Sequence, residues 1–193
     1  MNGAARTFRG GGRDRGFRLR FLVLRTLWAV TLWVRPRSSL AHFHLGNAFA
    51  AQGRRKAAME HWRAASALDA RRWKAKANLA SALLAENDSY AALEVLLEVS
   101  TQRPNDLSLA LLLARAQEST GVPEQALSTL SRCAAMAPDS PAVLGRIGFI
   151  YLKRGEAGRA IDWLQRAQAA DPQNLSYERA LKLAHARLSA PGN

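Results

Sequence analysis

Four small residues, Gly46, Ala80, Ala114 and Gly148, stand 34 positions apart along this chain, and no insertion breaks the frame between them. A sequence that repeats at a fixed interval of this length folds as stacked supersecondary units, because one unit cannot bury its apolar face alone. The period runs through several columns at once. Before each small residue stands Leu45, Leu79, Leu113 or Ile147, and twelve positions after it Ala58, Ala92, Ala126 or Ala160. Four further on come Trp62, Leu96, Leu130 and Leu164, then three further on Ala65, Val99, Cys133 and Ala167. Within each repeat the apolar residues recur at intervals of three and four, as in Leu79, Leu83 and Leu84, which is helical spacing. Small residues at a helix crossing bring two axes to the short end of the usual range of about 8–10 Å. Gly46 and Ala58 are expected to form such a crossing pair.

The punctuation agrees with the period. Gly53, Asn87, Gly121 and Gly155 fall between the two helices of each repeat, where the chain turns through a left-handed conformation. Pro104, Pro138 and Pro172 follow the second helices, with Ala70 the exception, and Asp106, Ser140 and Asn174 are placed to cap the helices that come next. Pro123 and Pro141 fall in first turns, where a missing N–H costs nothing.

A Leu or Ile followed by Gly or Ala, an aromatic three further on (Phe49, Tyr151), the Ala of the second helix and the closing Pro together resemble the tetratricopeptide repeat, over residues 39–174. The departures are Ala70 for Pro and Leu83 and Gln117 at the aromatic place. The resemblance implies an all-α fold, a right-handed superhelical solenoid of four helix-turn-helix repeats (39–72, 73–106, 107–140 and 141–174). Residues 175–189 continue as a helix that caps the array.

The same resemblance implies a partner-binding groove lined by the first helix of each repeat: Phe43 and Asn47; Lys74, Ala77, Ser81 and Leu84; Leu111, Arg115 and Glu118; Phe149, Leu152 and Lys153. Such a groove takes another protein as an extended peptide or an amphipathic helix. One subgroup of the family clamps the terminal carboxylate of chaperone tails. Asn47 and Asn78 match the two Asn of that clamp, but Phe43, Ser108 and Leu112 stand where its cations would be, so a charge-assisted anchor of that kind is absent.

Charge is uneven along the chain. Of the net +13, residues 1–37 hold nine Arg against Asp14, residues 38–76 eight Lys/Arg against Glu60 and Asp69, and the remainder eleven Lys/Arg against twelve acids. The basic character therefore signals a location or a partner for the first third and is no demand of the fold. Residues 1–18 are rich in Gly and Arg and cannot bury enough apolar surface to fold alone, so disorder is expected there.

Residues 19–37 read as an apolar and basic helix, either membrane-associated or capping the first repeat. Its apolar run, residues 21–34, is fourteen long and carries Arg25, closed by Arg35, Pro36 and Arg37. A span needs about 20 apolar residues, and Arg25 at mid-bilayer would cost roughly 2.5–3.5 kcal/mol. A helix lying in the interface fits better, with Arg18, Arg20, Phe21, Leu24, Arg25, Trp28 and Trp33 as its membrane contacts. A tilted span, a secretory signal cut near Ala41 and an organellar transit peptide stay open as alternatives.

No catalytic residues are expected. There is no HExxH, phosphate loop or serine elbow, and the GGGRDRG at 10–16 follows no strand. His42 and His44 are two apart on a helix and point different ways, while His61 and His185 lack paired ligands nearby in sequence, so no metal and no cofactor are expected. The single cysteine, Cys133, excludes a disulfide framework. The sequence thus reads as a non-catalytic interaction module, an adaptor or assembly factor at a membrane. Two alternatives stand beside it: a permanent subunit of a larger membrane-associated complex, and an RNA-associated protein using the Arg-Gly stretch at 9–17.

Overall fold

The computed structural model describes Val23 and residues 25–189, and among these the regular structure is entirely helical. Residues 25–34 form α1, followed by α2 (Ser39–Ala51), α3 (Arg55–Leu68), α4 (Trp73–Ala85), α5 (Ser89–Gln102), α6 (Leu107–Ser119), α7 (Pro123–Met136), α8 (Pro141–Lys153), α9 (Ala157–Ala170) and α10 (Leu175–Leu188). The even-numbered helices from α2 onward begin at 39, 73, 107, 141 and 175, steps of 34 residues, and α3, α5, α7 and α9 keep the same step from 55. The disorder expected for residues 1–18, and the start of the apolar helix at residues 19–22 and Leu24, lie outside the described residues.

Between paired helices the backbone turns through the left-handed region at Gly53, Gly121 and Gly155 (φ 74°, 80° and 81°), and at Asn87 with φ 62°. Asn is the side chain best suited to that conformation after Gly. Asp106 and Asn174 cap α6 and α10 by accepting from the N–H groups of Leu109 and Ser176. Ser140 occupies the N-cap of α8 but makes no side-chain cap bond.

By its internal contacts the chain divides into two compact units, Met1–Ala82 and Leu83–Asn193, with the division falling inside α4. In the first unit α2 packs on α3. A Cβ at Gly46 would fall 2.5 Å from the Trp62 ring, so the missing side chain is what admits the indole. The partner of Gly46 is thus Trp62, one turn beyond the expected Ala58, which is itself fully buried. Trp62 is 6% exposed, and its Nε1–H donates to Asn47 Oδ1 at 3.0 Å. The same oxygen accepts from Asn78 Nδ2 at 2.9 Å, tying α2, α3 and α4 through one carbonyl.

The second unit holds two apolar clusters that share α8. Ala114, Ala126, Leu130 and Cys133 meet Val143, Ile147 and Ile150 in one, and Leu144, Leu152, Leu164, Ala167, Tyr177 and Leu181 build the other. Gly148 repeats the device of Gly46, because a Cβ there would lie 2.6 Å from Leu164 Cγ. Gly145 makes room for Tyr177 of α10, whose hydroxyl donates to the Pro141 carbonyl at 2.9 Å. Gln117, the polar residue at an aromatic place of the pattern, is buried because Thr129 Oγ1 donates to its Oε1 at 3.0 Å.

If Trp62 is the wedge between α2 and α3, Trp62→Ala lowers stability by about 3–5 kcal/mol. Trp62→Phe keeps most of the buried ring and loses only the donor to Asn47, and is expected to cost roughly 1–2 kcal/mol. Urea unfolding checks both, and small, equal effects would remove the indole from its role.

Candidate functional site

The inner face predicted from the repeat pattern can be followed in each unit. In the first unit Phe43 is half-buried with its ring edge-on to His44, and Lys74 and Ser81 are exposed. Ala77 is half-buried. Asn47 is occupied by the two hydrogen bonds that join its neighbours, so its carbonyl serves the fold.

In the second unit the side chains converge on two open recesses of about 480 and 440 Å³, which share Arg146 and Phe149 and so form one groove along α6, α8 and α10. Six predicted residues line it: Leu111 and Arg115 in one recess, Glu118, Leu152 and Lys153 in the other, and Phe149 in both. Leu84 is buried and lines neither of them. Ser108 and Leu112, met above only as places of the clamp, line the groove too, and sequence reasoning missed Ala142, Arg146 and the whole contribution of α10, namely Ser176, Tyr177, Arg179, Ala180, Leu183 and Arg187. The signal was present. Arg179 stands 34 residues after Gly145 and 68 after Leu111, and Leu183 34 after Phe149, so α10 continues the frame as a further first helix.

The groove has an apolar floor and a cationic rim. The Glu118 carboxylate, only 10% exposed, pairs with Lys153 and lies 3.6 Å from Arg146 Nε. Its Oε2 is buried without a hydrogen-bond donor. Arg187 donates to the Leu152 carbonyl at 2.6 Å, which holds the end of α8 against α10.

The family model described as Tetratricopeptide repeat matches residues 118–184, from the end of α6 into α10. Among solved structures, YrrB, described as a TPR protein with an unusual peptide-binding site, superposes with a TM-score of 0.78 at 16% identity, covering 84% of this chain and 84% of its own. TTC0263, a thermophilic TPR protein of Thermus thermophilus, gives 0.66 at 20% identity over 90% of this chain and 95% of that one. MamA gives 0.74 at 18% identity over 89% and 100%. Residues 118–184 thus match the tetratricopeptide repeat, and the chain shares the fold of tetratricopeptide-repeat proteins. No curated protein matches the sequence. At these identities the solved structures establish the fold, a helical solenoid of the tetratricopeptide-repeat type.

The first helical pair, α2 and α3, also brings together two residues that the sequence kept apart. His42 and His61, nineteen positions distant, place their Nδ1 atoms 3.0 Å apart, and Phe49 stacks on His61. One imidazole donates and the other accepts. Among the described residues no group of three or more His, Cys, Asp or Glu gathers to hold a metal ion.

Burial, and next the adjacent His42, hold His61 below the ordinary imidazole value of 6.5, with Glu60 opposing. Burial, then Arg72, lowers His44 likewise. Both shifts favour the neutral ring in the folded chain, so as pH falls through about 6.5 the unfolded chain takes up protons first and stability declines. The urea midpoint is therefore expected to be flat above pH 7 and to fall between pH 7 and 5. His61→Phe, which retains a ring against Phe49, should flatten that slope, and an unchanged slope would contradict the assignment.

Proposed function

We propose that this protein is a non-catalytic adaptor or assembly factor, held at a membrane surface by its N-terminal helix and docking a partner protein in the groove of its repeats. The observation that carries the membrane half is the outer face of α1. Val23, Leu27, Val30 and Val34 recur at intervals of four, three and four, the spacing of one helical stripe, and all are exposed. Trp33 beside them is 85% exposed.

The opposite side of α1 faces the repeats. Trp28 stacks on His44 with ring centroids 4.4 Å apart and planes within 12°, and Arg25 is half-buried. The capping and membrane-contact readings of this helix are therefore compatible, because each uses a different face. Of the seven membrane contacts expected from sequence, Trp33 is exposed as an interfacial residue requires, Trp28 serves the cap, and Arg18, Arg20, Phe21 and Leu24 lie outside the described residues.

Among the described residues no helix is long and apolar enough to cross a membrane. An apolar stripe flanked by many Arg suits the headgroup region, where each basic residue near an anionic leaflet contributes about 1 kcal/mol. The docking half rests on the groove of α6, α8 and α10, whose apolar floor and open ends fit an inserted segment.

Vesicle flotation tests the anchor. The full-length chain is expected to float with phosphatidylserine-containing vesicles, less with purely zwitterionic ones, and Leu27→Glu with Val30→Glu should leave it in the soluble fraction. If the unaltered chain ignores anionic vesicles, the membrane reading fails. Steeply salt-dependent RNA binding in its place would favour the Arg-Gly stretch as a nucleic-acid contact.

A further inference from the structure

We propose that the groove of α6, α8 and α10 selects a peptide segment that carries acidic side chains beside an apolar anchor, a refinement that rests on the docking reading above. The first observation is where the charges fall. Residues 77–193 hold eleven Lys/Arg against twelve acids, close to balance. Yet the groove gathers Arg115, Arg146, Lys153, Arg179 and Arg187 against Glu118 alone. A segment without net positive charge has thus placed five of its eleven cations, but one of its twelve acids, along one groove, and such a groove raises the local concentration of anionic groups and rejects basic ones.

The second observation is Glu118. Its carboxylate neutralises part of the charge of Lys153 and of Arg146, whose Nε lies 3.6 Å from the buried Oε2, which leaves the exposed Arg115 and Arg179 to face an occupant. Phe149 and Leu183 supply apolar surface beside it, with Leu183 46% exposed. The occupant therefore needs two things: an apolar side chain for the floor and carboxylates for the rim.

The layout of the cations decides between kinds of carboxylate. They are divided among three helices, Arg115 on α6, Arg146 and Lys153 on α8, and Arg179 and Arg187 on α10. A single terminal carboxylate needs cations converging on one point, whereas a row of Asp or Glu side chains matches cations spread along a groove. The chain's own leader is excluded as occupant, because nine Arg against one acid would meet a rim of the same sign.

Selection of random peptides displayed as internal segments against the full-length protein tests the inference. The expected binders are enriched in Asp and Glu around a Leu, Ile or Phe. Fluorescence anisotropy should then show at least about a tenfold loss of affinity when each Glu of a selected peptide is replaced by Gln, and a loss of similar size for Arg115→Glu with Arg179→Glu, two exposed sites. Binders that are neutral or basic, or that ignore both changes, overturn the acidic preference while leaving the docking reading in place. A selection that returns no binder overturns the docking reading as well.

Discussion

Two antiparallel helices come close only where one of them presents no side chain and the other supplies a bulky one to fill the gap. Gly46 receives the indole of Trp62, and Gly148 receives Leu164, each sixteen residues further along the chain. The distances a Cβ would meet, 2.5 and 2.6 Å, are well inside van der Waals contact, so the absence of a side chain is a condition of the packing. Ala114, with no accessible surface, occupies the same place between them in the frame. The turns, the caps and the buried Gln117–Thr129 pair all serve to repeat that contact at a constant interval.

The position of the groove follows from the same arrangement. When second helices take up the bulky residues of the crossings, the first helices are left to line an open face. α10 begins one full period after α8 and so lines that face as well, while Tyr177 enters the space left by Gly145. It closes the apolar cluster of the last repeat and completes the recess with Arg179, Leu183 and Arg187. The cap of the last repeat and one wall of the groove therefore coincide in one helix.

Much of this was legible from the sequence, because the period is carried by residue types whose physical meaning is narrow. Gly53, Gly121, Gly155 and Asn87 all turn in the left-handed region, and Gly46 and Gly148 of the small column do sit at helix crossings. Reasoning from residue size alone paired Gly46 with Ala58, and missed that a ring one turn away fills the space better than a methyl. The His42–His61 contact was invisible for another reason: it depends on how two side chains on different helices are aimed, which no spacing rule encodes. On α1, period arguments grouped Trp28 with the membrane face. The stacking of its ring on His44 was not legible there, because an aromatic contact between two helices depends on side-chain aim and not on spacing.

The claim on which the rest depends is that Gly148 exists to admit Leu164. A double-mutant cycle measures it directly, with urea unfolding of Gly148→Ala, Leu164→Ala and the combination. Alanine is better than glycine in a helix by roughly 1 kcal/mol, so Gly148→Ala would stabilise a helix with free space at that point. The account predicts the opposite in the natural background, where the added methyl strikes the Leu164 side chain, and a clearly smaller penalty once Leu164 has been cut to Ala, when only the backbone N of residue 164, 3.3 Å away, stays close. The same effect of Gly148→Ala in both backgrounds would contradict it.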